Sequence, residues 1–336
     1  MTVDPLVAED KPLLRRSFLH RLAGIPTPVI FLGSIAIAVV VLWRSGDVGS
    51  VVDSLRDADP WLLVIGAVLY LVGLFLLCIR WHSLVLMIHG ESNFGRAGEA
   101  FLTSVVINYA APVGLAVPSR AALTKRALGL SLTETSAIAL WEVGADVIVL
   151  SIGSLIWLLS GGWADSDVSV RDVSPIIVLA VFVVAVFGMV ALVAVLRSVR
   201  TATIRHRIAN VLTYPLRSPV QATLTLAIST VYWIIQAFVL AIMLNALDVD
   251  PKPLLVLGIT SLPILIGMLS PLPGGAGIRE TLMGGIARIH GAAVSPTIFA
   301  AVAYRLALFA SIPVLYLLFR VWLWFGKKPG TQLEDQ

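Results

Sequence analysis

The sequence is short of most of what a soluble enzyme relies on. Cys78 is the one cysteine in 336 residues, which excludes a disulfide framework and a thiolate metal site. The five histidines are scattered without ligand spacing, so no metal and no cofactor are expected. Walker loop, hydrolase elbow and zinc-protease motif are all missing, and with them any sign of a nucleotide-driven or hydrolytic step. Charge is scarce as well: 13% of residues are charged, against about 25% in a soluble domain. The net charge of +4 therefore does not point to nucleic acid, because in so apolar a chain the location of charges matters more than their sum.

What remains is hydrophobic: 58% of the residues. It is arranged in runs of about 18 to 25, the length that crosses a hydrocarbon core of roughly 30 Å. The fold class is accordingly all-α, a polytopic integral membrane protein. Full spans are expected at 26–43, 60–80, 131–158, 174–196, 219–246 and 294–319, within a single membrane domain over 26–326. Tails at 1–25 and 327–336 flank it. Lys11, Arg15, Arg16 and Arg21 precede the first span without a cleavable apolar core, so that span acts as an anchor with a cytoplasmic N-terminus.

Two further apolar segments, 98–130 and 253–290, are interrupted by proline and glycine. If each dips into the membrane and returns, Arg80, Arg96, Arg120, Lys125, Arg126, the basic run at 197–217, Arg320, Lys327 and Lys328 all fall on the cytoplasmic face with the N-terminal four. The opposite face receives Arg44, Arg56, Arg171 and Lys252 among aspartates such as Asp165 and Asp248. This segregation follows the positive-inside rule, and it puts both termini in the cytoplasm of a cell-membrane protein.

The interruptions resemble one another. In PVGLAVPSR, Pro112 precedes Arg120 by eight residues and Pro118 lies between; in PLPGGAGIR, Pro271 precedes Arg279 by the same eight. The two pairs stand 159 residues apart. Helix, broken hairpin and helix thus occur twice, over about 60–160 and 219–320, with opposite orientation. Pro271 and Pro273 end one half-helix, Gly274, Gly275 and Gly277 supply the bend, and a second half-helix starts near Ile278. Broken backbone of this kind is tolerated only inside protein or along a wet cavity. One reading is a packing kink; the other is the binding site of an alternating-access carrier, with an anion at the half-helix start.

Few ionisable residues are expected at membrane depth: Arg120, Glu142, Asp146, Arg279, Glu280 and Arg305. Glu142 and Asp146, four apart, share a helix face. Either these groups neutralise one another as structural ion pairs, or Arg120 and Arg279 hold an anion beside the hairpin tips. Asn108, just before the first break, is a candidate for bonding substrate or freed backbone.

The stretches FLTSVVINYAAPVGLAVPSRAALTKRALG, LWEVGADVIVL and SPLPGGAGIRETL resemble landmark regions of the lysylphosphatidylglycerol synthase transmembrane-region family, or flippase-like domain family, over about residues 60–320. That resemblance implies a lipid-handling membrane protein. It maps Asn108, Pro112 and Arg120 to the first landmark, Glu142 and Asp146 to the second, and Pro271, Gly274, Gly275, Gly277, Arg279 and Glu280 to the third. Ala116, Val117 and Val143 depart from the family pattern, so headgroup preference is expected to differ. No aminoacyltransferase domain is expected in this chain.

The expected function is a flippase or transporter, not an enzyme, for a lipid with an anionic headgroup. Arg120 and Arg279 would hold the phosphate, while Glu142 and Asp146 balance charge or carry a proton. Two alternatives stand beside it: an intramembrane enzyme on lipid phosphates or polyprenyl-linked sugars, with Glu142 and Asp146 as acid–base groups, and a non-transporting subunit that partners a lipid synthase.

Overall fold

The structure, a computed structural model, describes residues 58–110, 128–162, 211, 213–269, 275 and 277–326. The expected spans at 26–43 and 174–196 lie outside them. The described residues form seven helices: α1 (Pro60–His89), α2 (Phe94–Ala110), α3 (Leu132–Leu159), α4 (Pro219–Ala246), α5 (Pro253–Leu269), α6 (Ile278–Ile289) and α7 (Val294–Gly326). Among the described residues, α1, α3, α4 and α7 are long and apolar enough to cross a membrane. The protein is an all-α, multi-pass membrane protein.

Local chemistry sets the helix ends. The Asp59 carboxylate accepts the Trp61 N–H at 2.8 Å, Pro60 needs no partner for its nitrogen, and Gly90 closes α1 at φ 87° by donating to the Leu86 carbonyl. Ser131 and Glu134 cap α3 reciprocally, at 3.2 and 2.7 Å. Along α1 the exposed stripe is Val64, Val68, Val72 and Phe75, while Tyr70, Leu74, Cys78 and Trp81 are buried. An apolar outer face over a partly polar interior suits lipid as the solvent.

Helices α1 and α4 pair antiparallel along their length. The Asp59 N–H donates to the Ala246 carbonyl at 3.3 Å, and at the other end the Ser218 hydroxyl donates to the Met87 carbonyl at 3.4 Å. Close approach depends on Gly73, where an added Cβ would lie 2.7 Å from Gln236 Nε2. The start of α4 lies 159 residues after that of α1, and α5 starts 159 residues after α2 with the same length of 17 residues. The spacing of the two arginine motifs thus recurs in the helix boundaries.

The second interrupted segment is a hairpin. Its first arm, α5, has 17 residues, or ~25 Å, less than the ~30 Å core. Gly275 (φ 65°) and Gly277 (φ 83°) turn the chain, and a Cβ on Gly275 would lie 2.4 Å from Gly267 Cα. From there α6 runs back along α5, so that Ile286 meets Gly258. Trp157 near the end of α3 donates to His290 at 3.3 Å, so the hairpin ends on the side from which α5 entered. At the opposite side, Arg320 of α7 pairs with Glu99 of α2.

Candidate functional site: two charged clusters along one helix

The first cluster is built on a residue the sequence reading placed elsewhere. Arg80 was assigned to the cytoplasmic edge because the apolar run of α1 stops there. The helix continues to His89, and Arg80 is 2% exposed. Its Nη1 lies 2.5 Å from Asp146 Oδ1 and 3.0 Å from the Ser229 hydroxyl, and its Nη2 is 3.3 Å from Glu142 Oε1. Trp233 Nε1 donates to the same Asp146 oxygen at 2.9 Å.

The helices explain why these groups meet. Arg80 stands nine residues before the end of α1, while Glu142 and Ser229 each stand ten residues after the start of α3 and α4. All three are therefore about 14–15 Å from their helix ends. Those ends coincide because His89 contacts Glu134 at 2.8 Å and Ser218 reaches Met87. The charge has its partners on neighbouring helices at its own depth, so it needs no snorkelling to the interface. A helix-stop signal was available in the sequence: reading α1 through to Gly90 puts Arg80 inside the helix, with Trp81, Leu84, Val85 and Ile88 packed in the core beyond it.

The second cluster sits at the start of α6. Glu280 Oε2 accepts the Gly277 N–H at 2.7 Å, and Oε1 lies 2.9 Å from Arg305 Nη2. An amide expected to attract an external anion is thus taken by the helix's own carboxylate. The Arg279 guanidinium carbon lies 5.0 Å above the ring of Tyr304, which meets Tyr70 of α1 edge-on at 5.2 Å. Two Arg279 nitrogens, Nε and Nη2, are buried without a hydrogen-bond partner.

The charges expected at membrane depth therefore separate into two groups. Arg305 goes with Glu280 rather than with Glu142 and Asp146, which Arg80 serves. Arg80 and Tyr70, ten residues apart on α1, set the groups about 15 Å apart along that helix. Between them Gln236, fully buried, fills the space left by Gly73, and neither polar atom of its amide is hydrogen bonded. Arg80, Ser229, Trp233, Tyr70 and Gln236 were not among the expected site residues. Pairing of α1 with α4 and α7 is what gathers them.

Of the remaining expected residues, Asn108 falls in the last turn of α2. Pro112, Pro118, Arg120, Pro271, Pro273 and Gly274 lie outside the described residues. Gly275 and Gly277 have the positive φ expected of a bend, and α6 starts at Ile278 as expected.

A family model described as "Lysylphosphatidylglycerol synthase TM region" matches residues 31–315. No curated protein and no solved structure matches.

Proposed function

This chain belongs to the lysylphosphatidylglycerol synthase TM region family, and from that premise we propose that it binds the anionic headgroup of a membrane phospholipid beside the α5–α6 hairpin and carries it between leaflets. One observation carries this reading. Arg279 holds two buried donor nitrogens, Nε and Nη2, without a hydrogen-bond partner, while the Glu280 carboxylate beside it is engaged by Arg305 and the Gly277 N–H. Leaving a buried donor unpaired costs about 1–3 kcal/mol, and more when it is charged. A phosphate oxygen removes that cost, and a guanidinium fork suits its geometry.

The layout supports movement as well as binding. Interrupted helices at corresponding positions of two oppositely directed halves are the arrangement of alternating-access transporters, and α1 and α4, the leading helices of the two halves, run antiparallel. In this reading Arg120, in the first interrupted segment of the sequence, is the counterpart of Arg279, and both termini are cytoplasmic. Engagement of Glu142 and Asp146 by Arg80 and Trp233 favours charge balance over acid–base chemistry on a lipid phosphate.

The test is purified protein in liposomes of neutral lipid with a labelled anionic phospholipid. Protein-dependent movement of the label without chemical change is expected, lost in Arg279→Ala and partly retained in Arg279→Lys. A chemically altered label would make the protein an enzyme instead. Neither movement nor change would leave the recruiting-subunit role.

A further inference from the structure

The start of α2 and the end of α7 enclose a groove that neither charged cluster uses. Its volume is about 790 Å³, within the roughly 300–1,000 Å³ of small-ligand sites. The described residues that line it include Asn93, Arg96, Glu99, Arg320, Trp322 and Trp324. Two glycines fix its walls. A Cβ on Gly95 would lie 2.8 Å from Leu323, and one on Gly98 would run into the Phe319 ring, so α2 is notched at both positions for side chains of α7.

The groove belongs at the membrane boundary. Helix α7 has 33 residues, or ~50 Å, well beyond the ~30 Å core. Its last turns carry Trp322 and Trp324, 54% and 70% exposed, the residue type that settles at headgroup level. Arg320 stands 15 residues after Arg305 on α7, about 22 Å along the axis, so the groove is separate from the Arg279 cluster.

The lining selects an anion. Glu99 engages Arg320, whereas the exposed Arg96 has no carboxylate partner among the described residues. The Asn93 side chain accepts the Arg96 N–H at 3.1 Å, which holds Arg96 in the first turn of α2, at the positive end of that helix's dipole. An apolar track leads out of the groove: Val314, Leu317, Val321 and Trp324 recur at helical spacing on α7 and are 47%, 62%, 51% and 70% exposed. A soluble phosphate would use only the charge, while a phospholipid uses the charge and the track together.

We propose that this groove is a second lipid site, which holds an anionic phospholipid with its headgroup at Arg96 and Arg320 and an acyl chain along the outer face of α7. The site stands independently of the transport reading.

The test places a photo-cross-linking side chain at Val321 and, for comparison, at Val68 on the exposed stripe of α1, in vesicles of phosphatidylcholine with a minority of phosphatidylglycerol. Adducts at position 321 are expected to be enriched in phosphatidylglycerol over those at position 68, on the order of fivefold for one interfacial arginine. Arg96→Gln, which leaves the Arg320–Glu99 pair intact, should lower the enrichment, and Arg96→Gln with Arg320→Gln should abolish it. Glu99→Gln should raise it by freeing Arg320. Arg279→Ala should not change it. Equal adduct ratios at the two positions, or an enrichment that survives loss of both groove arginines, would mean ordinary boundary lipid and overturn the proposal. So would an enrichment lost in Arg279→Ala, since the anion would then belong to the hairpin. If glycerol phosphate in the buffer removes the enrichment where sodium chloride of equal ionic strength does not, the groove takes soluble phosphates and the lipid assignment fails.

Discussion

The two clusters use the same residue types for opposite ends. At Arg80 a single guanidinium contacts two carboxylates, a hydroxyl supplies a third contact, and an indole N–H joins on Asp146. At Arg279 the guanidinium lies over an aromatic ring with two nitrogens unbonded, while the nearby carboxylate is held by Arg305 and a backbone amide. The first arrangement binds three helices at one depth; the second keeps donor capacity in reserve. In an apolar protein a charge with all its contacts made is part of the scaffold, and the one with donors left over is where the proposed headgroup would bind.

That contrast is open to breakage by substitution. The largest effect is expected at Arg80: Arg80→Ala removes the guanidinium that two buried carboxylates share and should cost about 3–5 kcal/mol of stability, read as a collapse of the unfolding midpoint in detergent. Arg80→Lys should recover little of it, since one ammonium does not reproduce a fork reaching both acids. Arg279→Ala should behave in the other way, with near-normal unfolding and a loss of anionic-lipid affinity of roughly ten- to a hundred-fold, the equivalent of a charge-assisted contact of about 1.5–3 kcal/mol. If Arg279→Ala unfolds the protein as Arg80→Ala does, the two clusters are not different in kind.

Within the hairpin the comparison is steric. Gly277→Ala meets open space but keeps a positive φ of 83°, so a strain of about 1–3 kcal/mol is expected, measured as a lowered midpoint with lipid binding retained. Gly275→Ala adds a contact of 2.4 Å with the Gly267 backbone to a similar strain. It should be the more damaging of the two in unfolding and in transport. Equal effects would mean that the hairpin arms separate easily. The smallest effect is expected from Glu142→Gln: Arg80 keeps its shorter contact with Asp146 and its contact with Ser229, and stability should change by less than about 1.4 kcal/mol, a factor of ten in the folding equilibrium.

Much of the layout was legible in residue order. Apolar runs with capping residues located α3 and α4 closely, because Ser131 with Glu134, and Pro219, are local signals of where a helix begins. The proline–glycine run located the hairpin bend and the start of α6, since only particular backbone angles let a chain reverse so near its own helix. The 159-residue offset seen between two arginine motifs reappears in the starts of α1 and α4 and of α2 and α5. Arg80 was misread because hydropathy is a sum along the chain, and a charge at the end of an apolar run looks like the end of a span.

By itself the sequence determined that this chain crosses a membrane as helices, that the segment at 253–290 breaks, and that few charges sit among the apolar runs. Those properties depend on length, periodicity and backbone angles, all of which are local. Only the tertiary structure decided which charges meet. Arg80 is 62 residues from Glu142 and 66 from Asp146, and Arg305 is closer in sequence to Glu280 than to either. The Arg80 pairing follows from α3 and α4 both running antiparallel to α1 with their starts level with its end, which puts residues about ten positions from those ends at the same depth. Electrostatic partnership in a low-dielectric interior is settled by distance in space, and no periodicity along a single helix carries that information.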